Sequence, residues 1–285
     1  MKLGAMIFAT DQTIQVTRLA PALEARGFES LWIPEKTHLP VSRKTPWPGG
    51  NLPEWYKRTS DPLVTLAAAV GVTTRLRLGT GVVLVPIHDP VTMAKAVATL
   101  DWLSAGRVEF GIGYGWNREE FATHGVDIDE ARDIMREHTA LMCALWSNEV
   151  GSFAGRHARV APSWSWPKPV QQPRPPIHIG ARASRAVFED IAAYGDGWLP
   201  IEGYGDVLPH IPRLHAAFEA AGRDPAEAVI SVYSSSGDPD LLERYAAAGV
   251  ARTIVTLPPA AESEVMATVE HHARLLERYL CRDSL

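Results

Sequence analysis

This sequence has little cysteine, no long apolar run and no surplus of charge, and each shortage closes off a class of function. Cys143 and Cys281 are the only cysteines, and no C-x-x-C occurs. A disulfide framework is not expected, and a cytoplasmic location is. Cys143 sits in the helical pattern ARDIMREHTALMCALW and reads as a core residue. Apolar stretches such as residues 66–72 fall far short of the ~20 residues that cross a bilayer. The opening MKLGAMIFATDQT has one lysine and a short apolar run, which suits a first strand and not a signal peptide. Net charge is −5, from 28 basic and 33 acidic residues. Neither nucleic acid nor a membrane is an expected partner. There is no H-E-x-x-H, the ten histidines are scattered, and no metal site is expected. No Walker loop, nucleophile elbow or pair of catalytic carboxylates is visible.

What is present is an α/β rhythm. The 285 residues are 46% apolar and 21% charged, the balance of a globular chain. Strand-like segments fall at residues 2–8, 30–33, 76–85, 108–112, 177–180, 197–200, 229–233 and 252–257. Helical patterns follow them, at 13–26, after 61, 89–104, 129–146, 184–194, 208–221, 239–248 and 262–280. Asp61-Pro62 and Asp89-Pro90 each pair a capping carboxylate with a proline at the first helical position. Apolar strands joined by helices mean a parallel sheet covered on both faces. Eight such units point to a single (β/α)₈ TIM barrel over 1–285; an open doubly wound sheet is the runner-up.

Residues 34–60 and 147–176 interrupt the rhythm. Long irregular segments inside a domain are usually lids or binding loops, and both are read so here. Nine tryptophans are also many for this length. Trp32, Trp102 and Trp146 fall on a strand and helices and read as core. Trp47, Trp55, Trp116, Trp164, Trp166 and Trp198 fall on segments expected at the mouth, where ring-bearing side chains suit a flat or apolar substrate.

In a barrel, chemistry belongs on the loops after the strands. Gly79 and Gly81 in GTGVVLV mark either a packing kink or the close approach of a ligand. In GIGYGWNREEF, Gly111, Gly113 and Gly115 alternate, so something flat or bulky could lie on that face. Their spacing fits the dinucleotide fingerprint poorly. In IHIGARASRAVFEDI, Ser184 can cap the next helix. Arg182 and Arg185 could add charge to an anion site there, or could simply be solvated. With few acid/base groups in view, a cofactor is expected to carry the chemistry.

The run over residues 60–121, SDPLVTLAAAVGVTTRLRLGTGVVLVPIHDPVTMAKAVATLDWLSAGRVEFGIGYGWNREEF, strongly resembles the luciferase-like monooxygenase superfamily. Within that superfamily it looks like the oxidoreductases dependent on coenzyme F420, a deazaflavin. GFESLWIPEKTHLP, WPKPVQQPRPPIHIGARAS and YGDGWLP extend the resemblance to about residue 200. It implies a TIM barrel with one cofactor across its mouth, and a non-proline cis peptide, here Gly81–Val82, behind the ring. It further implies contacts to the cofactor from Glu35, Gly113, Gly115 and Asn117, and a phosphate-binding segment at Gly180, Ala181, Arg182 and Ser184, with Gly197 nearby. Two departures stand out. Lys36 replaces a histidine that often follows the acidic residue, with His38 two positions on. Tyr114 stands where a sugar-phosphate dehydrogenase of the group carries an acid, which argues against that activity.

The expected reaction is hydride transfer between F420 and an organic substrate with a polarised C=C, C=O or C=N bond. Lys36, His38 and Tyr114 are the candidate proton donors or oxyanion stabilisers. The alternatives are an FMN-dependent monooxygenase served by a separate flavin reductase, and a cofactor-binding relative without turnover. A homodimer is expected from the resemblance alone.

Overall fold

The computed structural model describes the backbone of residues 1–280 and side chains through residue 274. Cys281 and the last residues of the expected domain lie outside the described residues. In chain order the strands are β1 (Lys2–Met6), β2 (Ser30–Ile33), β3 (Arg77–Thr80), β4 (Val108–Ile112), β5 (Val150–Ala154), β6 (Arg159–Trp164), β7 (Ile177–Ile179), β8 (Gly197–Trp198), β9 (Val229–Ser235) and β10 (Arg252–Thr256). The helices are α1 (Val16–Ala25), α2 (Pro62–Val70), α3 (Pro90–Leu103), α4 (Arg118–Thr123), α5 (Ala131–Ser147), α6 (Arg185–Tyr194), α7 (Ile211–Ala220), α8 (Pro239–Ala247) and α9 (Glu262–Leu280).

Eight strands close into a parallel barrel in the order β1-β10-β9-β8-β7-β4-β3-β2. This is the TIM barrel expected from the rhythm. Asp61 and Asp89 cap α2 and α3 by accepting from the backbone N–H of Val64 and Thr92, with proline next in each case. β3 is shorter than the expected 76–85. It ends at Thr80, the Gly81–Val82 peptide is cis, and Val83 resumes pairing beside Ile112.

The main core lies between strands and helices, where Phe110 and Trp146 pack edge to face at 6.1 Å. Cys143 packs half-buried against this core. A second, smaller cluster of Met6, Trp32, Leu199, Tyr233 and Ile254 fills the barrel itself. Period-two alternation sends these side chains inward. Trp32 spans the bore, so Gly79 beneath its ring has no room for a side chain.

Residues 147–176 do not form a lid. β5 and β6 are an antiparallel hairpin packed on α5. The segment after it runs under the amino-terminal end of the barrel. There the Lys168 ammonium donates to the carbonyls of Leu145 and Asn148, and Gln171 donates to Asp101 and the Val108 carbonyl. Connections that precede a strand must lie at this end, so Trp164 and Trp166 are exposed away from the mouth. Trp102, expected in the core, is also exposed. It follows the buried Asp101 and faces outward from the last turn of α3. Trp32 and Trp146 are buried as expected. No helix among the described residues is long and apolar enough to cross a membrane.

Candidate functional site

At the carboxyl ends of the strands a cavity of about 440 Å³ opens, floored by Gly81, Val82 and Tyr233. Residues 34–60 do cover this end, as expected of a lid. A short 3₁₀ turn, Glu54–Arg58, places Trp55 and Tyr56 over the cavity. Trp47 meets Tyr56 edge to face at 5.5 Å, and Tyr56 lies 4.8 Å from Phe8. The lid is tied at both flanks. Arg58 pairs with Asp11 at 2.8 Å, and Glu119 accepts from the Thr45 N–H at 2.9 Å and from the Ser42 hydroxyl.

A second cavity of about 230 Å³ adjoins the first, and Ile201 and Tyr204 line both. Its wall includes Gly180, Ala181 and Arg182 of the expected phosphate-binding segment. Ser184 caps α6 by accepting from the Val187 N–H, as anticipated. The Arg182 guanidinium lies over the Tyr204 ring at 5.1 Å. Trp198 points outward from β8 into this wall, buried against Phe188, and donates to the Ala181 carbonyl at 2.9 Å. Gly197 lies deeper, in the barrel wall beside His178 and Val229, and does not line this cavity.

The strand-end glycines make room for protein, not only for ligand. A Cβ on Gly113 or on Gly180 would stand 2.6 Å from the Val82 side chain. Both glycines thus let Val82 settle over the barrel end. A Cβ on Gly81 would strike Tyr233. Gly115, at φ +81°, holds the left-handed turn above Phe121.

Each candidate acid or base has a distinct setting. Asn117 is buried and caps α4, its side-chain oxygen accepting from the N–H of Glu119 and Glu120. This cap turns the chain so that the fully buried Glu120 carboxylate meets the Lys36 ammonium in an ion pair. Lys36 lines the mouth cavity with Trp116, whose ring centroid is 5.0 Å from Nζ. Next to it, Glu35 accepts from the Leu84 N–H at 2.6 Å and pairs with His88 at 2.8 Å. Burial works to lower the His88 pKa, but the hydrogen bond and charge of Glu35 outweigh it and hold it above the usual range.

His38 stands at the rim, hydrogen-bonded through Thr37 and 5.5 Å from the His124 ring. It does not line the cavity. Tyr114 is turned away from the mouth, and its hydroxyl donates to Asp190 at 2.7 Å. Arg132 clamps that same carboxylate. Burial, and then the neighbouring Tyr194 and Asp190, push the Tyr114 phenol well above its ordinary pKa. The structure thus brings Glu35 and Lys36 to the cavity and leaves His38 and Tyr114 outside it.

Sequence reasoning missed Tyr233, Phe8, Tyr56 and Glu202, all in the cavity wall. Tyr233 closes a strand expected at 229–233, and that position was its signal. Its hydroxyl is buried with no hydrogen-bond partner, and burial raises its pKa. Glu120 and His88, the partners of Lys36 and Glu35, carried no signal because only folding brings them near.

The model of the luciferase-like monooxygenase family matches residues 3–278. A Mycobacterium tuberculosis protein of uncharacterized function is 39% identical over 280 residues, covering 97% of this chain and 99% of that one. An F420-dependent hydroxymycolic acid dehydrogenase of the same organism is 31% identical over 223 residues, covering 76% of this chain and 56% of that one. Among solved structures, the monooxygenase RslO1 from Streptomyces bottropensis superposes with a TM-score of 0.81 at 22% identity, covering 98% of this chain and all of that one.

Proposed function

Because the chain belongs to the luciferase-like monooxygenase family, we propose that it is an oxidoreductase that transfers a hydride between coenzyme F420 and a small organic substrate with a polarised C=C, C=O or C=N bond. The observation that carries this reading is the pair of cavities joined at Ile201 and Tyr204. One is a broad aromatic chamber floored by Gly81–Val82, with room for a planar ring system beside the unpartnered Tyr233 hydroxyl. The other is a narrower recess with Arg182 and the start of α6, suited to a phosphate-bearing tail. Coenzyme F420 is favoured over FMN by the relationship to the mycobacterial F420-dependent dehydrogenase.

When bound, F420 supplies or accepts a hydride at C5. The protein must then exclude water, orient the substrate and manage one proton. The lid of residues 34–60 and Trp116 shut water out. Gly81 and Val82 would lie against the ring, and Arg182 would hold the anionic tail. Lys36, at the cavity wall, gives a proton to the substrate heteroatom as negative charge develops there, or takes it back in the reverse direction. Glu120 keeps the lysine aimed and its charge balanced.

Separate titrations with F420 and with FMN, followed by fluorescence, test the reading. Selective F420 binding is expected, and Arg182→Ala should weaken it by about ten-fold, the loss of roughly one charge-assisted hydrogen bond. Selective FMN binding would overturn it in favour of a monooxygenase fed by a flavin reductase.

A further inference from the structure

We infer that the substrate is a neutral, planar aromatic compound, held between the lid and the cofactor ring without any charge-charge contact. This deepens the function proposed above and rests on it for the identity of the mouth cavity as the reaction chamber.

The argument begins with charge. The ionisable carboxylates and ammonium in the cavity wall are Glu35, Lys36 and Glu202. Each already has its partner within the protein. Glu35 is occupied by the Leu84 N–H and His88, and Lys36 by Glu120. Glu202 accepts from the Ser235 hydroxyl at 3.0 Å and the Ser236 N–H at 2.8 Å. An anionic substrate would meet a lysine whose charge Glu120 already balances, so it would bring an uncompensated negative charge into a buried site, which is costly. A phosphate or carboxylate group therefore has no seat in this chamber; Arg182 lines the other recess, and Arg58 of the lid is paired with Asp11.

Shape gives the second half. Phe8 and Tyr56 lie 4.8 Å apart and tilted, and Trp47 stands on Tyr56 at 67°. Trp55 and Trp116 complete the wall. Rings set edge to face present both faces and edges to a guest, the arrangement that a flat π-system fills well. The Ser234 and Thr256 hydroxyls in the wall bond to each other, while the Tyr233 hydroxyl has no partner and Lys36 carries a proton at the wall. The last two suit a single carbonyl or imine on the aromatic frame. The exposed tryptophans of the β6 side, Trp164 and Trp166, have no such enclosure.

The test uses the intact protein, alone and with F420 added, and three probes: 2-acetylnaphthalene, 2-naphthoate and acetylcyclohexane. Tryptophan fluorescence quenching or calorimetry reads each affinity. The naphthyl ketone is expected to bind at least about ten-fold more tightly than the naphthoate and than the alicyclic ketone. Trp47→Ala should remove most of that preference, and Trp47→Phe should restore it, which separates loss of the wall from loss of folding. Equal or tighter binding of 2-naphthoate overturns the neutral assignment, and equal binding of acetylcyclohexane overturns the aromatic one. Cofactor titration of the same preparation reads independently: failure to bind F420 sinks the proposed function without altering the ranking of the probes.

Discussion

The two ends of this barrel handle polar groups in opposite ways. At the amino-terminal end Glu109 sits inside the bore among Arg77, Arg252 and His178, with His178 at 2.5 Å and Arg252 at 3.3 Å. Arg252 reaches on to Glu29 in a two-pronged pair at 2.6 and 2.7 Å. Arg77, Arg252 and His178 all converge on Glu109 from other strands. Trp32 lies across the bore above it, stacked over Arg252 at 5.5 Å and edge to face with Tyr233 at 6.5 Å. Past that ring the barrel opens into aromatic walls, the Lys36–Glu120 and Glu35–His88 pairs and an unpartnered tyrosine hydroxyl. One end is locked by charge and holds the strands in register. The other keeps volume and polar groups in hand for a ligand.

The sharpest way to break this contrast is at Lys36. Lys36→Met should lower kcat by about 100-fold or more, the usual worth of a positioned proton donor. The double variant Lys36→Met/Glu120→Leu removes the pair as a unit, so it should fold well and remain slow. Normal turnover in the double variant would take Lys36 out of the chemistry.

At the opposite end the expected loss is of stability. Glu109→Gln breaks a buried network and should cost about 3 kcal/mol in urea unfolding, with little effect on turnover of the folded enzyme. Burial tends to raise the Glu109 pKa, but His178 first, then Arg252 and Arg77, hold it far below the usual carboxylate range. A carboxylate so depressed contributes stability above its unfolded-state pKa and loses it as pH falls. The native protein should therefore lose stability on acidification below about pH 4.5 more steeply than Glu109→Gln. Parallel slopes would show that Glu109 is not the group responsible.

The smallest effect is expected from Tyr114→Phe. Its hydroxyl serves Asp190 on the outside of the barrel, so turnover should stay within about two-fold while stability falls by ~1 kcal/mol. A large loss of turnover with an unchanged melting temperature would return Tyr114 to the reaction chamber.

Much of this was legible beforehand. The βα rhythm is local, and the caps at Asp61 and Asp89 are written in adjacent residues. The cis peptide at Gly81–Val82 and the segment Gly180–Arg182 came through the resemblance, and they stand at the two cavities. The reading failed where position along a strand was not enough. Residues 147–176 look like a lid by composition, yet they fold as a hairpin laid along α5, followed by a segment that leads into β7 at the closed end. The closeness of Val82 to Gly113 and Gly180 also went unread, because nothing local shows which side chain settles over them. Trp102 fits the helical pattern, yet its side chain is more than half exposed.

Sequence alone was enough for the periodic and the local: strand and helix order, helix caps, the shortage of free charge and the abundance of rings. It could not say which charges are quenched. Lys36 meets Glu120 across 84 positions, Glu35 meets His88 across 53, and Arg252 meets Glu29 across 223. Only closing the barrel brings such groups within hydrogen-bonding distance. Whether a buried lysine is a free cation for a substrate or half of a neutral pair is therefore a property of the tertiary structure, because electrostatic fate depends on distance in space and not along the chain.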